Sequence, residues 1–170
     1  VDDPAAAAMW AAEFPEGEQR RELVDYSLYR WAKKDPEGAR TWVEAVEDSD
    51  VQVGASHALV RAWADTDPAA ATQWVMDHRN DLEGDLPLMN ASRQWADQDP
   101  VATAAWIANL DDPLTQGRVM DNITRVIANR GGEALDEWIG EIQDPALRAR
   151  ANQVIEQVAV TPSLLTGSGQ

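Results

Sequence analysis

Residues 31–42 read Trp31-Ala32-Lys33-Lys34-Asp35-Pro36-Glu37-Gly38-Ala39-Arg40-Thr41-Trp42. Thirty-two positions on, the frame returns as Trp63-Ala64-Asp65-Thr66-Asp67-Pro68-Ala69-Ala70-Ala71-Thr72-Gln73-Trp74. Asp followed by Pro is a strong helix start. The carboxylate accepts a free N–H of the first turn, and Pro loses nothing where its own N–H would be unpaired. Behind this start, Ala39, Trp42, Val43 and Val46 fall at i, i+3, i+4 and i+7, one face of a 3.6-residue helix. The spacing predicts a helix from Pro36 to about Glu47.

Outward from this stretch the same signals recur. Asp-Pro stands at 3–4, 35–36, 67–68 and 99–100, and Gly131-Gly132 takes the next slot. Each copy has an early Trp, at Trp10, Trp42, Trp74, Trp106 and Trp138. A later position holds Trp31, Trp63 and Trp95, then Ile127 and Ala159. A second helix in each copy is signalled by a capping residue at Asp48, Asn80, Asp112 and Asp144, with Glu16 in the first copy's slot. Its stripe reads Leu23, Ser27, Trp31 in the first copy and Ala55, Leu59, Trp63 in the second. Later copies give Val119, Ile123, Ile127 and Ala151, Ile155, Ala159. In the third copy Pro87 occupies a stripe position, so that helix should start late, capped by Asp85 after a loop through Glu83-Gly84.

A single helix hairpin cannot bury its own apolar faces, and stacked neighbours can. The expected architecture is therefore all-α: a right-handed α-α superhelix of five 32-residue helix hairpins, about ten helices in all. One domain is expected over 1–160, with repeats at 3–34, 35–66, 67–98, 99–130 and 131–160, and a disordered tail over 161–170. The small residues Ala32, Ala64, Ala96 and Ala128 mark where the next helix comes close. The last copy has degenerate signals and a polar outer face, Arg148, Arg150, Asn152, Gln153, Glu156 and Gln157, as a terminal cap should.

The repeat resembles the tetratricopeptide-like α-α superhelix class. Its wording, Trp-Ala-x-x-Asp-Pro-x-x-Ala-x-x-Trp, looks like repeats of uncharacterised bacterial proteins, often exported ones. It departs from the tetratricopeptide pattern, which has 34 residues and a Leu-Gly pair after its Trp. The resemblance spans residues 3–160. It implies architecture, many possible binding roles and no common catalytic residues.

Composition limits function further. Thirty acidic against fourteen basic residues give a net charge of −16. Phosphate binding needs clustered Lys and Arg, so nucleic acid and anionic membrane surfaces are disfavoured. No apolar run approaches the roughly 18–20 residues of a membrane span. There is no Cys, which removes disulfides and thiolate metal sites. The chain begins at Val1 with no charged and apolar leader ahead of it. A processed protein or an excised fragment is the expectation, and a periplasmic or extracellular setting is favoured over a cytoplasmic one.

Few residues suggest chemistry. The tryptophans could line an aromatic groove, but their stripe positions assign them to the core. The pairs Asp48/Asp50, Asp65/Asp67 and Asp97/Asp99 lack the remaining oxygen ligands of a calcium loop. His57 and His78 lie on different helices, and nothing in the sequence brings them together as zinc ligands. No catalytic motif is present. Neither an enzyme, a cofactor nor a metal is expected.

One series is harder to dismiss. Arg61, Arg93 and Arg125 recur at intervals of 32, with Tyr29 and Gln157 in the end copies. Each could pair four residues on with Asp65, Asp97 or Asn129. Alternatively they form a ladder of guanidinium groups meeting carboxylates on a partner. The expected function is a non-catalytic scaffold that binds a protein or peptide, of basic character given the acidic balance. The alternative is a spacer module of a larger exported protein with no specific ligand.

Overall fold

The computed structural model describes residues 3–79, 82 and 84–166. All regular structure among them is helical, in ten helices: α1 (Pro4–Ala12), α2 (Glu18–Lys34), α3 (Pro36–Ala45), α4 (Ser49–Ala64), α5 (Pro68–Asp77), α6 (Leu86–Gln98), α7 (Pro100–Ala108), α8 (Pro113–Arg130), α9 (Glu133–Glu141) and α10 (Pro145–Thr166). No described helix is long and apolar enough to cross a membrane.

Three Asp-Pro junctions share one geometry. At Asp35 the backbone N–H donates to Trp31 O at 2.7 Å and so closes α2. The carboxylate of the same residue accepts from Gly38 N at 3.0 Å and opens α3. Asp67 and Asp99 repeat both contacts, with Ala70 N and Ala102 N as the donors. Their backbones agree within a few degrees, at φ/ψ of −147/82, −144/80 and −146/83. Asp3 caps α1 through Ala5 N and Ala6 N.

Asp48, Asp112 and Asp144 cap α4, α8 and α10 as their positions predict. The slot at Glu16 behaves differently. Helix α2 starts two residues later behind Gly17, whose φ of 148° suits glycine, and no side chain caps it. Gly132 likewise precedes α9 at φ 69° without a side-chain cap. Helix α6 starts late, directly after Asp85. Asn80 and Glu83 lie outside the described residues. Helix α3 stops at Ala45, short of Glu47, because Val46 turns to extended backbone. Helix α10 runs to Thr166, past the tail expected from Thr161.

The chain divides into two compact units, Val1–Ala91 and Ser92–Gln170, with the boundary inside α6. In the first unit α2 packs on α1, α3 and α4, and α4 also packs on α3 and α5. Its core is Val24, Leu28, Val43, Leu59, Val60 and Val75. In the second, α8 packs on α7, α9 and α10, and α7 lies against α9. Its core is Ile107, Met120, Ile123, Trp138 and Ile142. Ala32, Ala64 and Ala96 are buried, whereas Ala128 is half-buried.

The tryptophans do not all enter the core. Trp31, Trp74 and Trp138 are buried, whereas Trp42, Trp63, Trp95 and Trp106 are half-exposed and Trp10 is 57% exposed. Trp31 and Trp42 meet across Asp35 with ring centroids 6.0 Å apart, and Trp95 and Trp106 meet across Asp99 at 5.4 Å. In the first pair Trp31 is buried and Trp42 half-exposed, and in the second both rings are half-exposed.

Candidate functional site

Arg61 lies on α4 but does not reach Asp65 as expected. Its Nη2 pairs with Asp25 on α2 at 2.9 Å, and its guanidinium sits 4.9 Å from the centre of the Tyr29 ring. Asp65 is engaged instead by the Tyr29 hydroxyl at 3.1 Å and Lys33 Nζ at 3.0 Å. Asp97, the residue expected to hold Arg93, is gripped by both Nη atoms of Arg130, at 2.7 and 3.3 Å. Side chains of adjacent copies thus outcompete the i+4 partner. The helix-to-helix contact brings the opposing charge closer than a turn of the same helix does.

Arg93 on α6 is half-buried and Arg125 on α8 is exposed. Neither guanidinium meets a carboxylate among the described residues. In a chain with thirty acidic residues, two cations of a repeating series thus lack a carboxylate among the described residues.

The Asp-x-Asp pairs are committed elsewhere. Asp48 and Asp50 form a clamp on Arg20, each at 2.8 Å from a different Nη, and the arginine side chain is buried. The clamp holds Arg20 charged above its ordinary value, chiefly through Asp50. Asp48 lies below its ordinary value, chiefly because Val51 N–H donates to it at the helix start. Asp67 and Asp99 cap helices. Among the described residues no cluster of three or more His, Asp or Glu could hold a metal ion.

A cluster that the sequence did not signal joins α3 to α5. Trp74 Nε1 donates to Glu44 Oε1 at 2.9 Å, and His78 stacks on the Trp74 ring at 4.3 Å between centres. His78 Nε2 lies 3.8 Å from the same carboxylate oxygen. Glu44 is held below its ordinary value, first by the Trp74 N–H and then by Arg40. Glu44 and Trp74 are 30 residues apart, so no local pattern joins them.

A second feature also escaped the sequence reading. Between α1 and α2 lies a cleft of about 370 Å³ lined by Ala7, Trp10, Leu23, Tyr26 and Arg30 among others. The signal for it is a departure from the repeat. Tyr26 and Arg30 stand where the second copy has Ala58 and Ala62.

No protein-family model matches the chain, and no curated protein or solved structure is significantly similar to it.

Proposed function

We propose that the chain is a non-catalytic scaffold, a right-handed α-α superhelix of five hairpins that binds a protein or peptide. The 32-residue register supports the superhelix, as do the matching Asp junctions and the packing of α2 on α4 and α8 on α10. The observation that carries the binding role is the pair Arg93 and Arg125, two guanidinium groups with no carboxylate among the described residues. An unpaired guanidinium offers a planar fork of donors suited to a carboxylate. The surrounding acidic surface favours a partner of overall basic character that offers carboxylates at these two points.

The test is a peptide array of mixed basic peptides with and without internal Asp or Glu, probed with the chain and with Arg93→Gln/Arg125→Gln. The expected result is retention of carboxylate-bearing peptides by the parent only, weakening as salt rises. Equal binding by parent and variant would overturn the role of the arginines. No binding by either would leave the spacer reading.

A further inference from the structure

Three of the exposed large apolar side chains stand on α1 and α2 of the first unit: Met9 at 46%, Trp10 at 57% and Tyr26 at 62% exposure. Trp10 and Tyr26 line the α1–α2 cleft. In the second copy the residues equivalent to Ala7, Ala11, Leu23, Tyr26 and Arg30 of that cleft are Ala39, Val43, Ala55, Ala58 and Ala62. All five are buried, and α2 lies against α3 and α4. The first copy therefore presents a face of a kind that its neighbour uses to receive a helix. It does not present it in the same form. Tyr26 and Arg30 replace two alanines, so a repeat helix could not approach as closely as α2 approaches α4.

The electrostatics of the face narrow the occupant. The chain carries −16, yet the cleft lining contains Arg30 and no acid, and the nine residues of α1 include no charged side chain. Arg30 stacks on Tyr26 at 5.7 Å and holds no carboxylate among the described residues. A basic partner finds nothing here to pair with. A second copy of this chain, repelled elsewhere by its own acidity, meets here a patch free of acids. The shape suits it too. A two-fold contact brings the same patch to both sides, and this patch carries both a protruding indole and a slot walled by α1 alanines.

We propose that the α1–α2 face is a two-fold interface between two copies of the chain, in which Trp10 of each enters the cleft of the other. It is independent of Arg93 and Arg125. The patch is small beside the roughly 800 Å² per partner of a standard interface, so the dimer is a weak one whose population rises with concentration. Raising salt tightens it by screening the like net charges.

Sedimentation equilibrium from about 5 to 500 µM, the range suited to an interface at the small end of the scale, tests this. The full chain is compared with Ala6→Glu and Tyr26→Glu, and circular dichroism checks that each variant is folded. Ala6 lies on the exposed side of α1, so its replacement leaves the core intact. The expected result is a mass approaching twice that of the monomer in the parent, with both folded variants monomeric throughout. A parent that stays monomeric at every concentration overturns the proposal. So does a dimer that persists in both variants, since it would use another surface.

Discussion

The indole N–H of Trp138 donates to the hydroxyl oxygen of Thr124 at 3.0 Å, and both side chains are wholly buried. The Thr124 hydroxyl in turn faces Met120 Sδ at 3.5 Å. This is the one tryptophan of the second unit that is entirely enclosed, and the bond ties α9 to α8. Thr124→Val keeps the shape and removes the acceptor. It leaves a buried N–H without a partner and should cost about 1–3 kcal/mol. Urea denaturation measures it. Adding Trp138→Phe should cost less on top of Thr124→Val than in the parent, because the bond is already lost. Strict additivity would show that the bond contributes nothing.

Acid should weaken the first unit through Glu44 and Asp48. Both carboxyls lie below their ordinary values in the folded chain. Their stabilisation is therefore complete above the ordinary carboxylate range, near 4.5 for Glu44 and 3.8 for Asp48, and is lost as pH falls below it. Glu44→Gln should lower stability at pH 7 by about 1 kcal/mol, the low end for a charged hydrogen bond because the group is part-exposed. It should also flatten the fall between pH 5 and pH 3, followed by chemical denaturation at each pH. An unchanged slope would mean that the Trp74–Glu44 bond does not couple to folding.

Gly38 faces its cap so closely that a Cβ would stand 2.2 Å from Asp35 Oδ2. The clash is with the end of a flexible side chain. The equivalent positions show how it resolves: Ala70 and Ala102 donate to Asp67 and Asp99 at 2.9 Å. Gly38→Ala should thus be accepted and raise stability by about 0.5–1 kcal/mol, the helix preference of Ala over Gly. A fall in melting temperature would show that Asp35 cannot adopt the arrangement of Asp67.

The net charge of −16 should set the response to salt. Mobile ions screen the mutual repulsion of a strongly acidic surface. Moving from low to moderate NaCl should raise the melting temperature at a fixed low protein concentration. A fall would mean that the cross-copy ion pairs Arg61–Asp25, Lys33–Asp65 and Arg130–Asp97 outweigh the repulsion.

What was legible in the sequence is what a single helix decides. Asp35, Asp67 and Asp99 cap their helices because a cap is a contact within three residues, and the Asp-Pro spelling states it. The apolar stripes placed Ala39, Val43, Leu59 and Ile123 in the core because helical period alone selects a face. The tryptophans were harder. Trp10 and Trp138 share a repeat position, yet one is largely exposed and the other enclosed. The difference comes from what covers each copy, which the stripe does not record. Arg61 eluded a local reading for the same reason: its carboxylate is on α2, not one turn ahead. The α1–α2 cleft was encoded, but as a mismatch between copies at Tyr26 and Arg30 rather than as a motif.

The junction residue has a consequence for how such a chain can change. Asp35 is the entire connection between α2 and α3, as Asp99 is between α6 and α7, while Asp67 is the last of three residues between α4 and α5. An insertion there would separate the amide that ends one helix from the carboxylate that begins the next. Both termini would then need new partners for their end groups. The greatest lengthening stands at the other connection of a hairpin, where the segment from His78 to Asp85 exceeds the three residues between α3 and α4. A lineage built this way acquires new recognition by exchanging side chains on fixed helices, by growing loops on one side only, or by copying whole hairpins.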